Sequence, residues 1–156
     1  MGFVSFSNVG ISGITAAVPR HVINNYEYDL YFNKDDIKEV VDKIGVKERR
    51  FADENTCSSD LCFAAAEKLL NGMHIDRDEI GLLIFISQTP DYRMPATSVL
   101  LQERLKLSTS TITFDINLGC SAFLYGLTVA YSMITAGGIR RALILEIGRA
   151  SCRERV

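Results

Sequence analysis

Little in this sequence marks it for metal, nucleic acid or export. Its 156 residues include two histidines, three prolines and no tryptophan. The four cysteines contain no CxxC pair. Zinc sites need histidine and cysteine at ligand spacing, so no metal centre is expected. His21 and His74 stand far apart in polar stretches and read as surface residues. Seventeen basic residues face 19 acidic ones, a formal net charge of −2. Without a basic surplus there is no electrostatic reason to expect nucleic acid or an anionic membrane as a partner. No apolar segment follows a basic amino terminus and the thiols lack paired spacing, which points to a reducing cytoplasm. At this length, with 47% hydrophobic residues, one domain with a real core is expected.

Charge is missing from one stretch in particular. No charged residue occurs between Cys120 and Arg140. Just before it, Ile112, Phe114, Ile116 and Leu118 alternate with other residues at the period of a strand packed on one face. Gly119 breaks that pattern, and Phe123, Leu127, Ala130 and Ile134 then recur at helical spacing until Gly137 and Gly138. Uncharged runs of ~18 or more residues are candidates for membrane spans. Ser121, Thr128, Ser132, Thr135 and the glycines argue against a span, so a helix buried on all sides between sheets is expected.

Cys120 therefore falls where a strand turns into a helix. The first turn of a helix has free backbone N–H groups and a partial positive charge, which favour thiolate, the nucleophilic form of cysteine. The other reading of Cys120 is a small buried hydrophobe, as most unpaired cysteines are.

Along the rest of the chain, residues 9–18 mix β-branched residues with glycines and end at Pro19, a strand that opens the sheet. Asn24 and Asn25 are expected to cap a short helix through Phe32. A second helix over 34–44 places Ile37, Val40, Val41 and Ile44 on one face and ends at Gly45. The charged residues that follow read as a solvated turn, or, with Lys43, Lys47, Arg49 and Arg50, as a phosphate-holding cluster. Residues 56–70 form an amphipathic helix capped by Ser58 or Ser59, with Cys57 and Cys62 as packing residues. A helical turn over 76–80 precedes LLIFIS, which is apolar without alternation, as in a strand covered on both faces. Pro95 starts a helix through Leu105, and 141–146 makes a last strand. Alternating strands and helices give an α/β fold with a mostly parallel sheet, whose ligand sites lie at the carboxyl ends of strands.

Three motifs resemble those of the β-ketoacyl-ACP synthase III group of the thiolase superfamily. Gly45-Val46-Lys47-Glu48-Arg49 is similar to its G-I-x-E-R, and Pro95-Ala96-Thr97 to its P-[AS]-x segment. The run from Phe114 through Gly119-Cys120-Ser121 to Phe123 resembles its nucleophile motif. The resemblance implies a thiolase-like layered fold, one βαβαβαβ half with a buried central helix. It implies that Cys120 takes an acyl group from acyl-CoA as a thioester and passes it to a carbanion made from malonyl-ACP. Lys43 stands where that family has a cation for the CoA phosphates, and Met94 where it lines the acyl channel and reaches towards a partner subunit. No bound cofactor is implied, and the intact protein is expected to be a homodimer.

The departures are equally specific. The adenine-stacking tryptophan of the family is absent, and Ala122 replaces a frequent glycine. Only the first copy of a duplicated unit is seen, over 1–146, without the histidine and asparagine that the second copy supplies. Residues 147–156, IGRASCRERV, equal an in-frame translation of a sequencing adapter and are expected to be a non-native tail, so Cys152 carries no functional weight. Two other readings remain open. One is a cysteine hydrolase or acyltransferase of another α/β family, whose nucleophile elbow wants small residues two before and two after the cysteine; Leu118 and Ala122 meet this halfway. The other is an incomplete half-domain without enzymatic activity.

Overall fold

The computed structural model describes residues 3–29 and 32–148. Three parallel strands form the core sheet: β3 (Ile80–Ile86), β4 (Ile112–Ile116) and β5 (Arg141–Glu146), in the order β4-β3-β5. The register pairs Ile86 with Ile116 on one side and with Glu146 on the other, so all three strands end at the same edge. β3 is central because its sequence, IGLLIFI, offers an apolar side chain to both faces. Leu83 and Phe85 pack with Cys62, Ala66 and Leu70 of α2 (Ser58–Gly72) and with Leu101 of α3 (Thr97–Arg104). Leu82, Ile84 and Ile86 pack on the other side against Ala122 and Ala130 of α4 (Ala122–Thr135). Burying each such large side chain stabilises the fold by about 1.5–3 kcal/mol. The layers are thus helix pair, sheet, helix, the expected α/β arrangement.

α4 departs from the expectation of burial on all sides. Its sheet side carries the small residues Ala122, Gly126 and Ala130, which are buried. A Cβ on Gly126 would run into Ile86 Cδ1, so glycine is what lets the helix settle onto β3. On the opposite side Phe123, Leu124 and Tyr125 are 39%, 67% and 57% exposed. The sheet covers one face of α4; on the other, Phe6 packs edge-on against Tyr131 at 5.6 Å, while Leu124 and Tyr125 stand open.

A smaller antiparallel pair, β1 (His21–Asn24) with β2 (Glu48–Phe51), stands apart from the core sheet, with α1 (Lys34–Ile44) between them in sequence. Neither strand was expected, because charges at 47–50 read as a turn. Arg49 explains the strand: its guanidinium lies over the Tyr28 ring at 4.1 Å and the Phe51 ring at 5.0 Å, so the charge is packed, not solvated. Asn24 does cap a helix, but only a 3₁₀ turn at Asn25–Glu27; Leu30 and Tyr31 of the longer helix expected there lie outside the described residues. α1 ends at Gly45 in the left-handed conformation (φ 78°), as expected. Of its apolar face only Ile37 and Val41 are buried; Val40 and Ile44 are 52% and 65% exposed.

Residues 9–18 do not join the sheet. Residues 9–15 instead line a cavity of about 560 Å³ together with Tyr131 and Ile134 of α4 and with residues of β5. The cap of α2 is Cys57, not a serine: Asp60 reaches back to accept from the Cys57 N–H at 2.9 Å. From residue 149 on, the expected tail, Cys152 included, lies outside the described residues. Among the described residues no helix is long and apolar enough to cross a membrane.

Candidate active site at the Cys120 turn

β4 ends at Ile116, the chain crosses the carboxyl edge of the sheet, and α4 begins at Ala122 with Ser121 as its cap residue. Cys120 thus stands just before the cap rather than inside the first turn, and it is exposed, whereas Cys57 and Cys62 are buried. The reading of Cys120 as a small buried hydrophobe is excluded. The turn is closed by the Ala122 N–H donating to the Gly119 carbonyl at 2.8 Å. The Cys120 N–H has no hydrogen-bond partner among the described residues. A nucleophile beside an open backbone donor is the minimum that acyl transfer requires: the sulfur attacks and the N–H receives the charge that develops on the carbonyl oxygen.

Gln88 flanks this turn from the end of β3. A Cβ on Gly119 would stand 3.2 Å from Gln88 Nε2, so the glycine lets the two segments run side by side. The Ser87 N–H donates to the Ile116 carbonyl at 3.2 Å and fastens the two strand ends together. Met94 belongs to the same loop, between β3 and α3, and is 88% exposed. Met94 and Cys120 thus lie in loops that both leave the carboxyl edge of the sheet, and no described contact joins them.

Lys43 sits in the last turn of α1, exposed. Among the described residues no hydrogen bond or ion pair joins it to the Cys120 turn. Of the basic cluster, Arg49 lies against two aromatic rings and Arg50 donates to the Pro19 carbonyl at 2.9 Å, which leaves Lys43 and Lys47 as the exposed cations without a hydrogen-bond or ion-pair partner among the described residues. His21 and His74 are exposed, as their polar surroundings suggest.

The sequence family described as 3-oxoacyl-(acyl-carrier-protein) synthase III matches residues 114–152, the stretch from β4 through Cys120 and α4 to β5. A β-ketoacyl-(acyl-carrier-protein) synthase III of Halalkalibacterium halodurans is 31% identical over 145 residues, covering 93% of this chain. The chain is a relative of the synthase III enzymes. The crystal structure of a 3-oxoacyl-(acyl-carrier protein) synthase from Burkholderia xenovorans superposes with a TM-score of 0.79 at 41% identity over 84% of this chain. A variant of Xanthomonas campestris OleA superposes with a TM-score of 0.76 at 29% identity over 90% of this chain. The synthase III and OleA structures confirm the thiolase-like fold. The chain spans less than half the length of these proteins: 46% of the Halalkalibacterium enzyme, 38% of the Burkholderia one and 43% of OleA.

A group of buried polar residues between α2, α3 and β4 escapes sequence reasoning. Asp91, Ser59, Thr97 and Ser98 are each at most 1% exposed. Asp91 sits in a loop and Ser59 on a helix, where such residues are ordinarily solvated. The nearest signal was the placement of Asp91 between Pro90 and Pro95.

Proposed function

We propose that Cys120 is the acyl-accepting nucleophile of a condensing acyltransferase that uses an acyl-CoA donor and a malonyl-ACP acceptor. The observation that carries this reading is the exposed Cys120 at the carboxyl end of β4, with its own N–H open and its turn inside the stretch shared with the synthase III family. In the first half-reaction the Cys120 sulfur forms a bond to the thioester carbonyl carbon. The carbon–sulfur bond to CoA then breaks, and CoA leaves as thiolate and takes up a proton. Lys43, exposed on α1, supplies a cation for the CoA phosphates, and Met94 borders the path of the acyl chain. β4 is an outer strand of the sheet, with Ile112 45% exposed, and this edge supports a homodimer in the intact protein.

The second half-reaction asks for more. Decarboxylation of the malonyl group puts charge on an enolate oxygen, and neither His21 nor His74 belongs to the Cys120 turn. Residues 1–156 therefore carry the acylation machinery and not the condensation machinery. Incubation with labelled acetyl-CoA followed by intact mass and peptide mapping tests the reading: label on Cys120, lost in Cys120→Ser, supports it. Steady turnover of simple esters would favour the cysteine hydrolase instead. Absence of both leaves a half-domain without enzymatic activity.

A further inference from the structure

β3 and β4 run in parallel register up to Ile86 and Ile116, so two residues further on Gln88 comes level with Leu118, just before Gly119 and Cys120. Gln88 is held by its backbone and not by its side chain. Before it, the Ser87 N–H donates to the Ile116 carbonyl at 3.2 Å; after it, the Thr89 N–H donates to Ser87 Oγ at 3.0 Å. The Thr89 carbonyl accepts from the Ser58 hydroxyl at 3.0 Å. Ser58 and Ser87 are both buried, which anchors this turn in the core.

The Gln88 carboxamide, by contrast, is exposed and makes no hydrogen bond among the described residues. Backbone acceptors of the nucleophile turn are already taken: the Gly119 carbonyl by the Ala122 N–H at 2.8 Å and the Ser121 carbonyl by the Tyr125 N–H at 3.3 Å. A Cβ on Gly119 would stand 3.2 Å from Gln88 Nε2, and standard bond lengths then set that nitrogen within about 7 Å of the Cys120 nitrogen. Two donors that share one oxygen, each at about 2.9 Å, stand up to about 6 Å apart, so rotation about the Gln88 side-chain bonds is enough to aim both N–H groups at one atom.

We infer that Gln88 is a further catalytic residue: its carboxamide N–H donates, beside the Cys120 N–H, to the carbonyl oxygen of the acyl group as the thiol is acylated. As the sulfur–carbon bond forms, the second electron pair of the C=O bond moves onto the oxygen. When the bond to the leaving group breaks, that pair returns. Gln88 transfers no proton; it stabilises the charge held on oxygen between the two events. The identity of the acyl donor rests on the acyltransferase reading. The donor role can be tested without it, because a simple activated ester passes through the same oxyanion.

Two reagents separate this role from a structural one. p-Nitrophenyl acetate acylates a thiol through an oxyanion, whereas iodoacetamide alkylates it at a saturated carbon and builds no charge on a carbonyl oxygen. Gln88→Met keeps the length of the side chain and removes the donor; Gln88→Ala removes both, and each is first checked for a cooperative melt. A well-placed oxyanion donor is worth about 10²–10³ in rate, so for an exposed, mobile one the acylation-to-alkylation ratio at Cys120 is expected to fall about tenfold in both variants, with alkylation within about twofold of wild type. An unchanged ratio, an equal fall with both reagents, or a wild-type Cys120 that the ester does not acylate overturns the inference. Acetyl-CoA is run in parallel: acylation by the ester but not by acetyl-CoA would sink the acyl-CoA reading, and the ester ratio would still decide the role of Gln88.

Discussion

Gly119 passes so close to Gln88 that a Cβ on the glycine would stand 3.2 Å from the carboxamide nitrogen. Gln88 is exposed and its amide is the mobile end of a flexible side chain, so it can yield. At Gly126 the obstacle is Ile86, 1% exposed and locked in the core.

These two glycines should therefore respond differently to the same substitution. Gly119→Ala is expected to change stability by less than about 0.5 kcal/mol, the range of surface substitutions. Gly126→Ala gains about 1 kcal/mol of helix propensity but incurs overpacking of about 1–3 kcal/mol. Its melting temperature should fall by a few degrees, at ~2–4 °C per kcal/mol for a chain of this size. Equal melting temperatures for the two variants would show that α4 can lift off β3 freely.

Of the three described cysteines, Cys120 should take iodoacetamide first, because Cys57 and Cys62 are 6% and 4% exposed. Time-resolved peptide mapping of the native chain checks this. Earlier labelling of Cys57 would mean that the cap of α2 opens more easily than its hydrogen bond with Asp60 implies.

The exposed flank of α4 predicts self-association. Leu124 and Tyr125 place apolar surface in water where no described residue covers it. Leu124→Glu is expected to reduce oligomers in size-exclusion chromatography and to leave the melting temperature nearly unchanged, since a side chain 67% exposed contributes little to the core. A monodisperse wild-type monomer would count against this.

Acidification should act through Glu67. Its hydrogen bond with Arg77, 2.6 Å long, holds the carboxyl below the ordinary glutamate range. A depressed carboxylate stabilises the fold above its unfolded-state value, and that contribution fades as pH falls through the folded-state value. Both side chains are 30% exposed, so the contribution is expected to stay within about 1 kcal/mol. Glu67→Gln should melt lower than wild type at pH 7, and the difference should close at pH below about 4. A difference that persists at pH 2 would assign the effect to packing instead.

Acyl transfer and condensation should separate in this chain. On the proposed acyltransferase reading, the open Cys120 N–H serves the first, whereas each enolate donor not supplied costs about 10²–10³ in the rate of the second. Slow acylation of Cys120 with no acetoacetyl-ACP formed is the expected outcome. Acetoacetyl-ACP made by residues 1–156 alone would show that no further donors are needed.

What the sequence determined by itself was local or periodic. Alternation at Ile112, Phe114 and Ile116, helical spacing after Gly119 and the glycine stop placed β4, the Cys120 turn and α4, because period and punctuation follow from backbone geometry alone. The unbroken apolar run of β3 likewise announced a strand covered on both faces.

Only the tertiary structure decided the rest. Residues 9–18 have the composition of a strand, yet pairing depends on a neighbour's edge, and here a cavity separates them from β5. Charges at 47–50 read as solvated until Tyr28, from before α1, joins the neighbouring Phe51 in packing against Arg49. The apolar circumference of α4 shows what the helix could bury, but whether a second layer covers it depends on what packs there. Asp91 is the clearest case. A loop aspartate becomes a buried clamp only because Ser59, 32 residues away, and Thr97 bring their donors and acceptors to it, and no local pattern records that meeting.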